Sequence, residues 1–524
     1  MALRLLTKMT TPGLSEPNLP GTDGLTRKSF SGTGWTSLAT AGRQILSMIS
    51  VAVLARLLGP DAYGLMGMAA LFFTFLLNFR DLGTAAAVIR MPSISSRLLS
   101  SLFWVNLAFG TALTLVVVLL AAQVAGFFHE PRLTGILRLL SVSFILFAAG
   151  AVQNAVLSRE MSFGKIAAVE LGSAVAGFVV AVPCALAGLG VQSLVFANLA
   201  TAVTSAGLCW TACRWRPKLE IDFAELKLVT PFSLNFAGFG LINYFGRNAD
   251  NIVVGRYLGE VQLGYYQMAY NLMLYPIQNV TSVISQVLLP AFSKIQDDND
   301  RFRSAYVRSC MLISLVTFPL IAGLGVVADP LVRAVLGQKW LPAIRVFQIL
   351  APLGMVQSIL ATVGQIYVSK GRTDWMLRWG IYSSLVSVAS FLIGVRFGIT
   401  GVAGAYTAAS LTLLAYPGFA IPFRLIELRM LTFGRELFPQ LIITAAMAGV
   451  CILWMKMLFV ARVTSPAVHL ASTAGVGFCA YVSLMLWLRP GVMRELEKLL
   501  IDRSSGPAAL LLRIIGRAGS LPPA

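Results

Sequence analysis

The chain has 524 residues, of which 57% are hydrophobic and only 12% charged, about half the charged share of a soluble domain, which is about 25%. That excludes a water-solvated globule and indicates a helical membrane protein. Its net charge of +19 would suit a nucleic-acid binder, but the charges are placed otherwise. With the N-terminus taken as cytoplasmic, the large majority of Lys and Arg fall in the two tails and the even-numbered loops, as the positive-inside bias requires. Anionic lipid headgroups account for that basic surface, and no nucleic-acid partner is expected.

Residues 1–32, rich in Pro, Gly, Ser and Thr, read as a disordered cytoplasmic tail, without the apolar core and cleavage site of a signal peptide. A bilayer core takes about 20 mostly apolar residues per helix, and fourteen stretches supply them. Six of these, 33–58, 63–79, 98–128, 133–157, 163–187 and 191–213, form an N-lobe, 33–213. The basic linker Arg214–Lys227 then opens a C-lobe, 214–430, with spans at 228–254, 263–290, 304–327, 346–369, 375–395 and 401–423. Between spans 9 and 10, Asp329–Pro342 is too polar to cross and reads as an external interfacial segment anchored by Trp340. Spans at 437–460 and 467–488 make a further unit, 431–488. Residues 489–524 form a basic cytoplasmic tail whose segment Pro507–Arg517 is amphipathic enough to lie on the inner leaflet. An even number of spans puts both termini in the cytoplasm.

The two lobes repeat one another. Arg56, Leu58, Gly59, Gly64, Met68 and Ala69 recur two hundred residues on as Arg256, Leu258, Gly259, Gly264, Met268 and Ala269. Gly190-Val-Gln-Ser, between spans 5 and 6, likewise resembles Gly401-Val-Ala-Gly, between spans 11 and 12. Six spans, a linker and six more in the same orientation make a parallel repeat. The expected fold is therefore all-α and polytopic, with about 14 transmembrane helices. Two six-helix lobes face each other across a cavity, and two extra C-terminal helices are appended.

Ionisable residues inside spans are costly and mark function by default. They are Arg43 in span 1, Glu170 in span 5, and Arg247 with Asp250 in span 7. Arg80 and Asp81, at the inner end of span 2, are better explained by ordinary positive-inside usage. Arg247 and Asp250 are three residues apart, so they share a helix face and can neutralise one another. A structural pair and a substrate or ion contact account for them equally well. Arg56 and Arg256 read as turn-fixing residues that bind helix-end carbonyls. Spans 7 and 8 are rich in amides: Asn235, Asn243, Asn248, Asn251, Gln267, Asn271, Gln278, Asn279 and Gln286. Inter-helix hydrogen bonds explain such residues singly, whereas their concentration fits a wet cavity that holds a sugar chain.

Catalysis is not expected. Asp298-Asn-Asp300 matches a motif for metal-bound nucleotide sugars, but it lies in a charged loop where a helix cap is the simpler reading. There is no Walker-type phosphate loop. The two histidines, His129 and His469, sit in separate turns, and the six cysteines in or beside apolar spans. No metal site, cofactor or disulfide framework is expected.

Several phrases carry a resemblance. They are Gly246-Arg-Asn-Ala-Asp-Asn-Ile-Val-Val-Gly-Arg-Tyr-Leu-Gly, Leu263-Gly-Tyr-Tyr-Gln-Met-Ala-Tyr-Asn and Leu288-Leu-Pro-Ala-Phe-Ser-Lys-Ile-Gln, with Gly337-Gln-Lys-Trp-Leu-Pro-Ala-Ile and Val368-Ser-Lys-Gly-Arg. Together they resemble the polysaccharide transporter family, Wzx-type oligosaccharide flippases of the colanic and teichuronic acid exporter branch. That family belongs to the multidrug/oligosaccharidyl-lipid/polysaccharide (MOP) exporter superfamily. The resemblance covers about residues 33–430. It implies a flippase of the bacterial inner membrane that carries undecaprenyl-diphosphate-linked oligosaccharide outward by alternating access, driven by membrane potential or an ion gradient. The product would feed exopolysaccharide, capsule or O-antigen synthesis, with a polysaccharide polymerase and a chain-length regulator as protein partners.

Related flippases use cavity arginines for the diphosphate. By position these are Arg43 and Arg247, with Asn248, Asn251, Gln267 and Asn271 for the glycan and Glu170 and Asp250 for a coupling ion. Competing readings are a lipid II flippase or a drug/cation antiporter of the same superfamily. Outside transport they are a scaffold or a polymerase of a polysaccharide-synthesis complex. The prominence of arginine disfavours a cation antiporter, and the short external loops disfavour a polymerase.

Overall fold

In a bilayer every backbone N–H must be satisfied within the chain, and a helix does this without a partner segment. The computed structural model describes residues 22–77, 88, 94–220, 222 and 230–488, and these are almost wholly helical. The N-terminal half comprises α1 (Thr22–Leu57), α2 (Pro60–Leu77), α3 (Ser96–Phe128), α4 (Arg132–Arg159), α5 (Phe163–Leu186) and α6 (Val191–Ala212). The C-terminal half comprises α7 (230–258), α8 (260–294), α9 (Asn299–Val326), α10 (Pro342–Ser369), α11 (Thr373–Gly394) and α12 (398–424). After these come α13 (Met430–Val460) and α14 (Pro466–Leu488). Each of the fourteen expected spans thus has its helix among the described residues. The odd-numbered turns share one face, called outer below after the orientation expected from the charge bias.

Helix ends follow local chemistry. α7 and α8 would be one continuous helix but for Gly259, whose φ of 83° and ψ of −179° only glycine adopts at little cost. Ser95 starts α3 by accepting the Leu98 N–H at 2.9 Å, and Asp298 starts α9 by accepting the Arg301 N–H at 3.0 Å. The Asp298-Asn-Asp300 triplet is therefore a helix start, with Asp300 paired to Arg303. Two expectations shift. α1 already runs from Thr22, inside the stretch read as a disordered tail, because extending an established helix avoids the cost of nucleation. The linker does not stand free between lobes: the Trp104 indole donates to the Lys218 carbonyl at 2.8 Å, and Ser100 and Ser101 accept the backbone N–H groups of Lys218 and Asp222. It travels with the N-lobe as far as Asp222.

The packing repeats with the sequence. In the first lobe α3 packs on α4, α4 on α6, α1 on α5 and α5 on α6; in the second α9 packs on α10, α10 on α12 and α11 on α12. α13 and α14 pair with each other and rest on α9. Ten helical runs are long and apolar enough to cross a membrane, with α11 and α12 counted as one run. The long helices outside that set are α1, α7 and α8. These more polar helices carry most of the candidate site residues.

Among the described residues the lobes share an apolar core that begins at the outer end and runs down α2 and α8 as far as Leu76 and Ile277. One cluster joins Ala55, Leu65 and Met68 of the first lobe to Val254, Leu263, Met273 and Trp340 of the second. Two further clusters of described residues lie within single lobes, one around Phe103 and Val156, the other around Phe292, Tyr306 and Phe423. At the outer end α2 and α8 cross backbone to backbone. A Cβ on Gly64 would lie 1.7 Å from the Glu260 carbonyl oxygen, and one on Gly264 would lie 2.0 Å from that of Pro60. Gly64→Ala or Gly264→Ala is therefore expected to lower the melting temperature of the purified protein, overpacking of this kind costing about 1–3 kcal/mol. Gly135→Ala, where a Cβ meets open space, is the control; melting temperatures equal to it in both variants would contradict the crossing.

Candidate functional site

The contacts that hold the lobes together fall on repeat-related positions. Arg56, at the outer end of α1, donates to the carbonyls of Val335 (2.9 Å) and Ala334 in the second lobe. Its counterpart Arg256, at the outer end of α7, reaches back to His129 at the end of α3 and lies over the Phe127 ring. Arg56 meets helix-end carbonyls as expected, whereas Arg256 meets side chains, and both reach the opposite lobe. Beside them Arg132 bridges Glu130 and Glu260 at 3.1 Å each, again joining the lobes. Deeper down, Gln44 of α1 bonds Asn279 of α8, and its counterpart Tyr244 of α7 donates to the Leu71 carbonyl of α2. The α1–α8 and α2–α7 flanks are thus both bridged.

Trp340 is the centre of the outer closure. It is not the interfacial anchor expected from sequence: it is 0% exposed, donates its indole N–H to the Ala55 carbonyl at 2.8 Å, and meets Tyr63 and Tyr265 edge-on. An indole needs one acceptor to be buried, and the end of α1 provides it. Nothing in the segment 329–342 could show which acceptor that would be.

Arg43, Arg247, Asn271 and Glu170 are exposed, Asn248, Asn251 and Gln267 half-buried, and Asp250 buried. Arg247 and Asn271 are each twelve residues from Gly259, about 18 Å down the two arms of the α7–α8 hairpin at 1.5 Å per residue. Arg43 lies about 24 Å down α1 from Gly59 on the same count, beside the contact of Gly42 with Leu171, which brings Glu170 of α5 to the same level. All lie within the hydrocarbon depth of about 30 Å. A charge in hydrocarbon costs at least about 2.5 kcal/mol, which favours a polar cavity below the closure for these arginines.

Of the two readings of Arg247 and Asp250, the mutual pair is not formed among the described residues. Asp250, 3% exposed, turns into the second lobe and accepts from the Tyr266 hydroxyl at 3.1 Å. Tyr270, Tyr406 and Gln357 stand around it, from α8, α12 and α10. The neighbouring Asn251 keeps a buried side-chain oxygen without a partner among the described residues, and its backbone N–H donates to the Asp250 carboxylate at 2.8 Å. Asn248 donates to the Tyr244 carbonyl at 2.9 Å, and Gln267 lies against the bare Cα of Gly67 within the α2–α8 crossing. Gln267 is therefore part of the closure as built. Sequence reasoning missed Gln44, Tyr244, Tyr266 and His129; the two-hundred-residue offset could have found the first two.

Arg80, Asp81, the tail from residue 489 with its 507–517 segment, and the side chains of Asn235, Asn243 and Gln286 lie outside the described residues. Among the described residues no group of three or more His, Cys, Asp or Glu side chains could hold a metal ion. A cavity of about 1360 Å³ opens elsewhere, at the outer face between α9, α10, α13 and α14, and none of the candidate residues lines it. Trp340→Phe should keep the ring packing but leave the Ala55 carbonyl buried without its donor, a loss of about 1–3 kcal/mol. A Leu58→Cys probe, buried at the end of α1, should then react faster with an impermeant thiol reagent; an unchanged rate would contradict the closure.

Comparison with known proteins places this architecture. The family model described as "Polysaccharide biosynthesis protein" matches residues 53–345, more than half of the chain. The lipopolysaccharide biosynthesis protein WzxC of Escherichia coli (strain K12) is 27% identical over 408 residues, 75% of this chain and 81% of that protein. The teichuronic acid biosynthesis protein TuaB of Bacillus subtilis (strain 168) is 25% identical over 81% of this chain and 88% of its own length. The succinoglycan biosynthesis transport protein ExoT of Rhizobium meliloti (strain 1021) is 24% identical over 88% and 94%. Among solved structures the fold matches the lipid II flippase MurJ in an inward closed conformation, with a TM-score of 0.69, 15% identity, and coverage of 87% of this chain and 98% of that one. It also matches an inward-facing multidrug resistance transporter of the MATE family, of the MOP superfamily, with a TM-score of 0.60, 13% identity, and coverage of 74% and 94%. The chain belongs to the polysaccharide biosynthesis protein family and is a multi-pass membrane protein with the fold of the MOP exporters.

Proposed function

We propose that the protein flips an undecaprenyl-diphosphate-linked oligosaccharide from the inner to the outer leaflet of a bacterial inner membrane, with both termini cytoplasmic, by rocking its two lobes. The observation that carries this reading is the pair Arg43 and Arg247. They are exposed within the membrane depth on repeat-related helices, below an outer closure and without a described protein partner. A diphosphate is the anion such a pair suits, since arginine forms paired hydrogen bonds with phosphate oxygens. Asn248, Asn251, Gln267 and Asn271 would meet the glycan, Gln267 once the α2–α8 crossing parts. The names of the relatives, in lipopolysaccharide, teichuronic acid and succinoglycan synthesis, support a polysaccharide precursor as cargo. A polymerase and a chain-length regulator would act next on it.

Energy can come from the membrane itself. A diphosphate with about two negative charges is favoured outward by roughly 4–5 kcal/mol per 100 mV when the inside is negative. Asp250, with the unbonded Asn251 oxygen beside it, would take a coupling proton or sodium ion, and Glu170 is the second such position. Binding there would change the α7–α8–α10–α12 packing around Tyr266 and so bias the second lobe.

Proteoliposomes carrying a fluorescent undecaprenyl-diphosphate oligosaccharide provide the test. Wild-type flux should slow when the potential is collapsed. Arg43→Ala and Arg247→Ala should each lose roughly tenfold or more of it, since one hydrogen bond to a charged group is worth about 1.5–3 kcal/mol. Full flux in both variants would remove the arginines from the site, and no wild-type flux from folded protein would contradict the flippase reading.

A further inference from the structure

The cavity of about 1360 Å³ at the outer face takes no part in the transport proposed above. It exceeds the roughly 300–1,000 Å³ that encloses a small molecule. One side is formed by α9, the short turns Ala328–Leu331 and Val332–Leu336, and α10; the other by α13 and α14. Its wall changes character with depth. Lys456 is four residues short of the end of α13 at Val460, about 6 Å down at 1.5 Å per residue. Ile452, on the same helix face, is about 12 Å down, and Met355, thirteen residues from the start of α10 at Pro342, about 20 Å down. With Met455 and Ala351 these make an apolar floor. Its depth is about that of one leaflet, half of a hydrocarbon core about 30 Å thick.

Four groups that can carry charge line the cavity: Asp329, Arg333, Lys456 and His469. Asp329 and Arg333 pair, but through the Arg333 Nε alone, at 2.9 and 3.0 Å from the two carboxylate oxygens. The terminal nitrogens of that guanidinium donate to no described residue. His469 gives its Nε2–H to the Val463 carbonyl at 2.8 Å. Lys456 is exposed and has no carboxylate partner among the described residues. With a neutral imidazole the cavity thus carries one net positive charge above an apolar floor. The positive-inside bias explains basic residues at inner helix ends. It does not explain a lysine within Cys451-Ile-Leu-Trp-Met-Lys-Met-Leu-Phe-Val, at the outer end of α13. Snorkelling alone would bring such a lysine to bulk headgroups; here an apolar cavity opens beneath it.

We propose that this cavity binds an anionic glycerophospholipid from the leaflet at that face. The phosphodiester lies between the Lys456 ammonium and the free end of the Arg333 guanidinium, both of which form charge-assisted hydrogen bonds with phosphate oxygens. An acyl chain runs down over Met455, Ile452 and Met355. Charge and depth together select this occupant: a single anionic headgroup matches the net charge, and a chain of one leaflet's length matches the floor. The lipid is a resident and not the cargo, whose diphosphate is assigned above to Arg43 and Arg247, neither of which lines the cavity. The site therefore stands whether or not that assignment does.

Native mass spectrometry of the purified full-length protein, titrated with palmitoyl-oleoyl phosphatidylglycerol or the phosphatidylcholine of the same chains, tests the site. The two probes differ only in headgroup. The wild type should bind phosphatidylglycerol about fivefold more tightly or better. Lys456→Gln should lose that preference and Lys456→Arg keep it. Ile452→Trp leaves both cations in place but fills the floor from an exposed position, and should weaken phosphatidylglycerol by a similar factor. Lys339→Gln, exposed at the same face but outside the cavity, should bind as the wild type does. Equal binding of the two lipids, a preference that survives Lys456→Gln, or unchanged binding in Ile452→Trp would each overturn the proposal. So would displacement by glycerol phosphate, which has no chains, or by an equal concentration of undecaprenyl phosphate, which would give the cavity to the tail of the cargo.

Discussion

Two helices can meet at the level of their backbones only where neither presents a side chain, and the α2–α8 crossing at Gly64 and Gly264 is such a place. Everything at the outer face is arranged around it. With the backbones in contact, the ends of α1 and α7 come within reach of the opposite lobe, and Arg56 and Arg256 take partners there. The same approach brings Tyr63 and Tyr265 to the two sides of Trp340 and buries its indole on the Ala55 carbonyl. The shared apolar core runs from this crossing down α2 and α8, and each lobe keeps a further cluster of its own among the described residues.

The polar residues of α1, α7 and α8 divide between two tasks. Gln44, Tyr244 and Asn248 spend their hydrogen bonds on protein, as side-chain amides and phenols between membrane helices commonly do. Arg43, Arg247 and Asn271 have no such partner among the described residues and are exposed. Asp250 belongs to neither group, since it is turned into the second lobe and held by Tyr266. A charge there is coupled to the packing of four helices rather than to a cavity wall, which suits an ion that changes shape better than one that rides with the cargo.

Much of this was legible in the sequence. Apolar length places most of the described spans, while α1, α7 and α8 are too polar to stand out by hydropathy alone. The two-hundred-residue offset announced the equivalent ends of α1 and α7, and the Asp298 cap followed from its loop. What escaped was direction. Three-residue spacing puts Arg247 and Asp250 on one side of a helix, but only the neighbours decide that one side chain finds open space and the other Tyr266. Trp340 carries the composition of a membrane anchor, and its acceptor on Ala55 lies almost three hundred residues away. Gln267 reads as a cavity amide and is found against Gly67, because the matching glycine makes room for it.

The central claim is that cargo moves only when the outer closure parts. Arg132→Cys and Glu260→Cys replace the ion pair that joins the lobes there. A short bifunctional thiosulfonate can link them in proteoliposomes and a reductant can release them. The account predicts that linkage halts flux of the labelled undecaprenyl-diphosphate oligosaccharide and that reduction restores it. Flux that continues through the linked protein would contradict it.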